Sequence, residues 1–274
     1  MFSFWYNFRM DTLIFIIVFV FGTIIGSFIN VLTLRYNTGL FKKDRSECFS
    51  CGKTLEFLDL IPVLSFLFLH GRCRYCRSKI SIQYLLVELF TGLVFLLVYL
   101  KVGVINFDLF FYFLVWSIFI AIFVYDLKHK IIPDGLVYTL IILSLIKIFP
   151  ININEFLLLA PSSWTVLAGP IAAAPFAFFW LISGGKWMGF GDAKLAFAMG
   201  WLLGLGGVIS AITLAFWVGA ATGLILVLVS KLNSLSRLFK NLTIKSEIPF
   251  APFLIIGTAL VFFTEINILN ISFF

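Results

Sequence analysis

The chain has 274 residues, of which 62% are hydrophobic and only 12% are charged, and its mean hydropathy is +1.10. Soluble domains contain roughly 45–50% apolar and about 25% charged residues, so this composition excludes an ordinary soluble domain, a disordered chain and a disulfide scaffold. The net charge of +7 does not require a nucleic-acid partner, because basic residues of membrane proteins collect in cytoplasmic loops. The sequence therefore predicts an all-α polytopic membrane protein.

Eight apolar windows are long enough to cross a bilayer, since a hydrocarbon core of roughly 30 Å needs about 20 helical residues. A glycine-rich stretch, residues 204–207, separates the sixth window from the seventh. We therefore expect about eight transmembrane helices. In chain order the windows are Thr12–Leu34, Ile82–Leu100, Phe107–Tyr125, Ile131–Ile148, Trp164–Ile182, Ala193–Val208, Ile209–Val229 and Pro249–Ile268.

Lysine and arginine lie mainly on one side of these windows. Seventeen of the 20 basic residues fall on that side, which the positive-inside rule identifies as cytoplasmic. Both termini are then expected outside the cytoplasm. The cytoplasmic segments are residues 35–81, 126–130, 183–194 and 230–247. The opposite side holds Arg9, Lys101 and Lys147.

The one soluble-looking insert is the loop between the first two helices. The chain accordingly divides into a first transmembrane helix (residues 1–34), a cytoplasmic loop (35–81) and a seven-helix membrane domain (82–274). No internal repeat is evident in the sequence.

All four cysteines lie in this loop, as the pairs Cys48–Cys51 and Cys73–Cys76, with 21 residues between the pairs. Each C-x-x-C pair brings two thiolates to one metal ion, and four thiolates complete a tetrahedral zinc site. Two disulfides are the alternative, but a loop in the reducing cytoplasm disfavours them. Because a closed four-thiolate site leaves no open position for catalysis, we predict a structural zinc ion that folds a loop without its own core.

Two aspartates stand at window ends that share the cytoplasmic side. Asp126 follows the third window directly, and Asp192 immediately precedes the sixth. Facing carboxylates can share one proton, so that one acts as general base on water while the other protonates the leaving group. Gly189 and Gly191, in a G-x-G-D sequence, would let a substrate approach Asp192 closely. The pair Asp126 and Asp192 is therefore predicted to be catalytic.

Structural roles remain open for these and other ionisable residues. Asp192 stands where an N-cap or helix-dipole partner is common, and Asp134, after Pro133, fits that role better than a chemical one. Glu88 is a candidate for an interhelical hydrogen bond. His129, between two lysines, is expected to face lipid headgroups.

The order of these motifs resembles that of the type IV prepilin peptidases, polytopic aspartic proteases of the bacterial cytoplasmic membrane. The resemblance covers nearly the whole chain. Its motifs are Gly26-Ser-Phe-Ile-Asn-Val31 with Arg35, the two cysteine pairs, Asp59-Leu-Ile-Pro62 with Leu64-Ser65, Gly71-Arg-Cys-Arg-Tyr-Cys76, Val87-Glu-Leu89, Asp126 with Pro133-Asp134, Gly189-Phe-Gly-Asp192 and Ile248-Pro-Phe-Ala-Pro252.

The resemblance implies an endopeptidase that removes the basic leader of prepilins or pseudopilins on the cytoplasmic side, with Asp126 and Asp192 as its catalytic residues. Members with the cysteine-bearing loop often also N-methylate the new N-terminus with S-adenosylmethionine, whose binding residues the sequence does not identify. Acidic residues are expected to receive a basic leader, and membrane lipid is the expected partner of the basic loop residues. The acidic candidates are Glu47, Glu56 and Asp59.

Three positions depart from the family pattern: Asn37 and Phe49 stand where proline is common, and Leu60 where asparagine is common. They leave the aspartates and thiolates intact but weaken the expectation of methylation. Two other functions remain open from the residues alone. One is an ion-coupled transporter that uses intramembrane carboxylates, and the other is a noncatalytic zinc scaffold of a pilus or secretion assembly.

Overall fold

The computed structural model describes residues 2–36, 45–148, 163–231 and 249–268. Asn37, Ile248 and most of the predicted cytoplasmic segment 230–247 lie outside these ranges. Within them the chain is helical, with two isolated antiparallel bridges and no longer strand. The elements are α1 (Phe2–Arg35), a 3-10 turn (Phe57–Asp59), α2 (Leu64–Phe68), α3 (Ile82–Val102), α4 (Phe107–His129), α5 (Asp134–Ile148), α6 (Ser163–Ser183), α7 (Phe190–Lys231) and α8 (Ala251–Thr264).

Among the described residues, five helical stretches are long and apolar enough to cross a membrane. Large apolar side chains point outward along them, as lipid-facing positions require. The prediction of an all-α polytopic membrane protein with the cysteine loop between its first two spans is confirmed. The five stretches are Thr12–Arg35, Ile82–Val102, Phe107–His129, Trp164–Ser183 and Phe190–Leu226, and Ala251–Thr264 is a shorter apolar helix.

The sixth and seventh predicted windows fall within the single long element α7. Gly204 interrupts it with a non-helical backbone (φ 73°, ψ 173°), at the glycine stretch where the sequence placed the boundary. Lys147, in the last turn of α5, donates a hydrogen bond from its ammonium group to the carbonyl of Leu202 at 2.9 Å. That carbonyl lies just before the interruption at Gly204. Carbonyl groups at the end of a regular helix lack backbone N–H donors from the next turn.

The chain forms two compact units, of which the first is Met1–Val124. Its helices α1 and α3 pack together through small residues. A Cβ atom added to Gly22 would lie 2.8 Å from the Cα of Gly92, and one added to Gly26 would lie 2.8 Å from the Cα of Glu88. Such small residues let helix backbones approach closely where hydrophobic driving force between helices is weak.

Capping residues fix the ends of α3. The side chain of Ser81 accepts a hydrogen bond from the backbone N–H of Gln83, as an N-cap does. At the other end, Gly103 adopts a left-handed conformation (φ 78°) and donates its N–H to the carbonyl of Tyr99. The 21 residues of α3 rise by about 31 Å, which matches the hydrocarbon core.

The second unit, Tyr125–Phe274, is organised around α7, which packs against α5, α6 and α8. Pro170 lies inside α6 and cannot donate to the carbonyl of Val166, four residues earlier. The indole N–H of Trp201, on α7, donates to that carbonyl at 2.9 Å. Gly169 makes room for this contact, because a Cβ there would lie 2.8 Å from the Trp201 nitrogen. The proline therefore supplies an acceptor that ties α6 to α7.

Candidate active site and metal centre

Asp126 is placed by the end of α4. Its carbonyl accepts the N–H of Lys130 at 2.8 Å, and Lys130 turns into the left-handed region (φ 55°), which ends the helix. The side chain of Asp126 is buried (3% exposed). The backbone N–H of Ala251, the first residue of α8, faces its carboxylate. Its Oδ2 atom has no hydrogen-bond partner among the described residues.

Asp192 lies in the first turn of α7. Its own N–H donates to the carbonyl of Gly189 at 3.2 Å, and the Gly189 N–H faces its carboxylate. The residue is 7% exposed. The charge of Asp126 acts on Asp192, so the second unit brings together the two carboxylates that the sequence singled out.

The two glycines of the G-x-G-D sequence have different surroundings. A Cβ added to Gly191 would lie 2.9 Å from the Cβ of Ile132, whereas one added to Gly189 would meet nothing closer than 3.8 Å. Gly191 thus lets the start of α7 pack onto the segment between α4 and α5. Sequence reasoning missed Ile132, since an isoleucine beside a helix end carries no distinguishing signal.

Asp134 and Lys194 form an ion pair within the second unit. The ammonium group of Lys194 also lies over the rings of Tyr138 (5.1 Å to the centroid) and Phe190 (5.4 Å). The Asp134 side chain is 62% exposed, and the residue opens α5 as the sequence predicted. Lys194 was not singled out, although a lysine in an apolar helix generally needs a partner.

The cysteine pairs lie in the first unit on two hairpin-like turns of the same design. One antiparallel bridge joins Glu47 to Thr54 across the first pair, and another joins Arg72 to Lys79 across the second. The residue after each second cysteine adopts a positive φ, Gly52 at 67° and Arg77 at 60°. This backbone reversal brings the two thiols of a pair to the same side of the turn.

The four thiols converge on one point. Their sulfur atoms all lie within 4.8 Å of one another, and the sulfurs of Cys48 and Cys76 are 3.8 Å apart. Tetrahedral zinc–thiolate bonds of about 2.3 Å place two sulfurs about 3.8 Å apart. The donor set and its spacing therefore fit a metal ion such as zinc.

Hydrogen-bond donors around the cluster favour the thiolate form of Cys48 and Cys76. The backbone N–H groups of Cys51 and Ser50 lower the pKa of Cys48 to about 6. The Ser78 hydroxyl, 3.1 Å from the sulfur of Cys76, lowers the pKa of that thiol as well. Because the thiolate is the metal-binding form, these donors prepare the cluster for a cation.

Asp59 joins the 3-10 turn to the second cysteine pair. Its side chain is 3% exposed and lies 2.8 Å from Nε of Arg74, and the hydroxyl of Tyr75 donates to it at 3.4 Å. Of the three acidic residues considered for binding a basic leader, Asp59 is thus already paired. Glu47 lies in the first bridge and Glu56 just before the 3-10 turn.

Glu88 has the hydrogen-bonding role anticipated for it, but one of its partners lies in the loop. Its Oε2 atom accepts the backbone N–H of Val63 at 2.7 Å, and Ser27 of α1 contacts the same carboxylate. The residue is 7% exposed. It therefore links α1, α3 and the segment between the cysteine pairs.

Comparisons with known proteins cover most of the chain. The model of a family described as "Bacterial Peptidase A24 N-terminal domain" matches residues 20–102, and that of the "Type IV leader peptidase family" matches residues 111–224. No solved structure matches the chain significantly.

Several relatives carry the name prepilin leader peptidase/N-methyltransferase. The protein of Bacillus subtilis (strain 168) is 32% identical over 252 residues, which cover 90% of this chain and 92% of the relative. That of Aeromonas hydrophila is 30% identical, with 89% of each chain covered. That of Xanthomonas campestris pv. campestris is 29% identical, with 88% of each covered.

These matches do not favour the transporter or the noncatalytic scaffold. Together with the apolar helices they support a multi-pass protein of the bacterial inner membrane. The family models and the full-length relatives agree on one assignment. The chain belongs to the type IV leader peptidase family.

Proposed function

We propose that the chain is a membrane aspartic endopeptidase that removes the basic leader of prepilins or pseudopilins on the cytoplasmic side. The observation that carries this proposal is the pair Asp126 and Asp192, buried in one unit and close enough to interact electrostatically. The name of the relatives, which specifies a prepilin leader peptidase, supports the substrate class.

In the proposed reaction one carboxylate of the pair is ionised and the other protonated. The ionised group takes a proton from water, and the water oxygen attacks the scissile carbonyl carbon. The protonated group then donates its proton to the leaving amine as the C–N bond breaks. The N–H groups of Ala251 and Gly189 hold the two carboxylates in place.

Zinc is the metal proposed for the cluster of Cys48, Cys51, Cys73 and Cys76. Four thiolates at tetrahedral spacing close the coordination shell, so the ion has a structural role and takes no part in the hydrolysis. It joins two turns that the chain separates by 21 residues, in a loop with little core of its own.

The second proposed activity is methyl transfer to the newly exposed N-terminal amine. S-Adenosylmethionine is the proposed donor and would supply the methyl group when bound. The support is the N-methyltransferase part of the relatives' name. We assign no residues to this cofactor.

For orientation, we propose that both termini lie outside the cytoplasm and that the cysteine cluster lies inside. The support is the distribution of lysine and arginine, because basic loops are retained on the cytoplasmic side. The same orientation places Asp126 and Asp192 on the cytoplasmic side, where the proposed removal of the leader takes place.

The test is cleavage of a purified prepilin by the reconstituted full-length chain. Asp126→Asn and Asp192→Asn keep the side-chain shape but remove general acid and base function, which contributes about 10²–10⁴-fold to rate. We expect each variant to lose at least about hundredfold in cleavage rate.

Asp134→Asn is the matched control, because Asp134 lies in the same unit but its side chain is largely exposed and paired with Lys194. It is expected to cleave at close to the wild-type rate. Near-normal cleavage by either Asp126→Asn or Asp192→Asn would show that the carboxylate pair does not carry the reaction.

A further inference from the structure

The segment between the cysteine pairs is unusually apolar for a loop. Over Phe57–Leu69, called here the apolar segment, Asp59 is the one charged residue, and its side chain is buried against Arg74. The exposed large apolar side chains are Phe57 (82% exposed), Leu58 (56%), Leu60 (41%), Leu64 (50%), Leu67 (55%) and Phe68 (78%). A soluble loop seldom exposes so much contiguous apolar surface without a partner.

The hydrogen bond from Val63 to Glu88 places the middle of this segment beside α3, more than one turn after the residue at which that helix begins. Val63 donates its N–H to Glu88 at 2.7 Å, and Glu88 lies six residues after Ile82, where α3 begins. At a rise of 1.5 Å per residue, that position is about 9 Å along the helix. The 21 residues of α3 are just enough to cross the hydrocarbon core, so Val63 lies level with a part of α3 that we expect within that core.

The backbone of the apolar segment is adapted to such a place. Five of its N–H groups find acceptors inside the segment, Pro62 has no N–H group, and Val63 donates its N–H to Glu88. Irregular backbone at membrane depth requires this kind of pairing, because lipid offers no hydrogen bonds. The internal donors are Leu60, Leu64, Ser65, Leu67 and Leu69.

Val63 is also strained. Its φ of 62° and ψ of −52° are rare for a β-branched residue, and the N–H of Leu64 donates to the carbonyl of Pro62 at 2.6 Å. This is a γ-turn of the rare form with a positive φ. Strain of this kind persists only where surrounding contacts hold it, and the Glu88 carboxylate supplies such a contact.

Basic residues follow the apolar segment closely. His70 comes next, and four Lys or Arg residues lie in the ten positions that include the second cysteine pair. Apolar side chains beside a basic cluster are the pattern of elements that lie in the interface of an anionic membrane. The four are Arg72, Arg74, Arg77 and Lys79.

We propose that the apolar segment is embedded in the lipid leaflet next to the metal cluster, with Val63 as its deepest point and Glu88 as the residue that holds it there. The two cysteine pairs then rest against anionic headgroups instead of extending into the solvent. The occupant of this apolar surface is the bilayer itself, and the proposal is independent of the peptidase reaction.

Photocrosslinking to lipid tests the embedding. A benzophenone amino acid replaces Phe68 in the full-length protein, reconstituted in vesicles of phosphatidylethanolamine and phosphatidylglycerol. Phe49 is the matched control, since it is 83% exposed but belongs to the first cysteine pair, which the proposal places at the headgroups and away from the acyl chains. We expect several-fold more lipid adduct from position 68 than from position 49.

Equal lipid yields from the two positions would overturn the proposal, as would adducts at position 68 that contain only protein. In the latter case the surface is a protein-binding site.

Substitution of Glu88 tests the anchor. Glu88→Gln retains an oxygen that can accept the Val63 N–H, whereas Glu88→Leu does not. We expect the lipid adduct at position 68 to persist in the Gln variant and to fall several-fold in the Leu variant, with bound metal unchanged in both. An undiminished adduct in a metal-loaded Glu88→Leu protein would show that Glu88 does not hold the segment. The comparison of positions 68 and 49 needs neither variant, so it stands if Glu88→Leu misfolds.

Discussion

At the scale of single residues, the candidate site depends on close contacts that leave little room for substitution. Gly191 packs its backbone onto the Cβ of Ile132, and Asp192 follows it directly. A side chain at Gly191 would displace either the loop or the start of α7. The glycine is therefore needed for packing.

Gly191→Ala is expected to reduce leader cleavage, because the new Cβ would lie 2.9 Å from a side-chain atom that cannot rotate away. Overpacking of this kind costs about 1–3 kcal/mol, and here part of that cost falls on the position of Asp192. The measurement is the cleavage rate of the reconstituted protein together with its thermal unfolding. Gly223→Ala is the control in the same helix, since a Cβ there meets nothing within 4 Å. Equal rates for the two variants would contradict this account.

Ser78 supports the thiol cluster from outside the predicted ligand set. Its hydroxyl lies 3.1 Å from the sulfur of Cys76 and 3.7 Å from that of Cys48. Ser78→Ala is expected to weaken zinc binding about 10–100-fold, as loss of an outer hydrogen bond typically does. Competition with a zinc-binding dye measures the affinity. Ser50→Ala, at an exposed serine of the first pair, should bind zinc normally, and equal affinities in the two variants would exclude the role of Ser78.

At the scale of elements, two helices of the second unit are joined through a backbone carbonyl that a proline deprives of its helical donor. Pro170 leaves the Val166 carbonyl without its helical donor, and Trp201 replaces that donor from the neighbouring helix. The contact works only because Gly169 has no side chain. Three residues on two helices therefore act as one packing device.

Trp201→Phe retains an aromatic ring but removes the indole N–H. It should destabilise the protein by about 1–3 kcal/mol, the usual cost of leaving a buried polar group unpaired. Unfolding in detergent micelles measures the change. Trp217→Phe, on the same helix but 62% exposed, is expected to change stability little. A loss of stability as large in Trp217→Phe would mean that the indole bond is not the cause.

The sequence predicts elements well where a pattern is local. The cysteine spacing predicted the cluster, and runs of apolar residues predicted the helices. It did not predict contacts that depend on where helices meet, such as Ile132 beneath Gly191 or Arg74 beside Asp59. The sequence also did not predict the strained backbone of Val63, because a valine in a γ-turn carries no residue pattern that distinguishes it from a valine in a helix.

At the scale of the whole molecule, the distribution of lysine and arginine predicts which connections between helices lie on the cytoplasmic side of the membrane. The described connection between α3 and α4 is short and contains no basic residue after Lys101, whereas the one between α4 and α5 contains Lys130. These two connections are expected on opposite sides of the membrane.

Alkaline phosphatase fusions test this topology, because the enzyme is active only outside the cytoplasm. A fusion after Val104 should be active, and one after Lys130 should be inactive. Matched protein levels, determined by immunoblotting, serve as the control. The reverse pattern of activity would place the aspartates on the wrong side for leader removal.

The ammonium group of Lys147 bears on how the charge asymmetry is counted. Lys147 is one of three basic residues on the side that is expected to be sparsely charged. Its ammonium group donates to the Leu202 carbonyl beside the interruption at Gly204. A cation at a helix C-terminus neutralises the exposed carbonyl dipoles. Lys147 therefore acts as a ligand for the backbone of the neighbouring helix, which gives one of the three basic residues of the side expected to be sparsely charged a structural role.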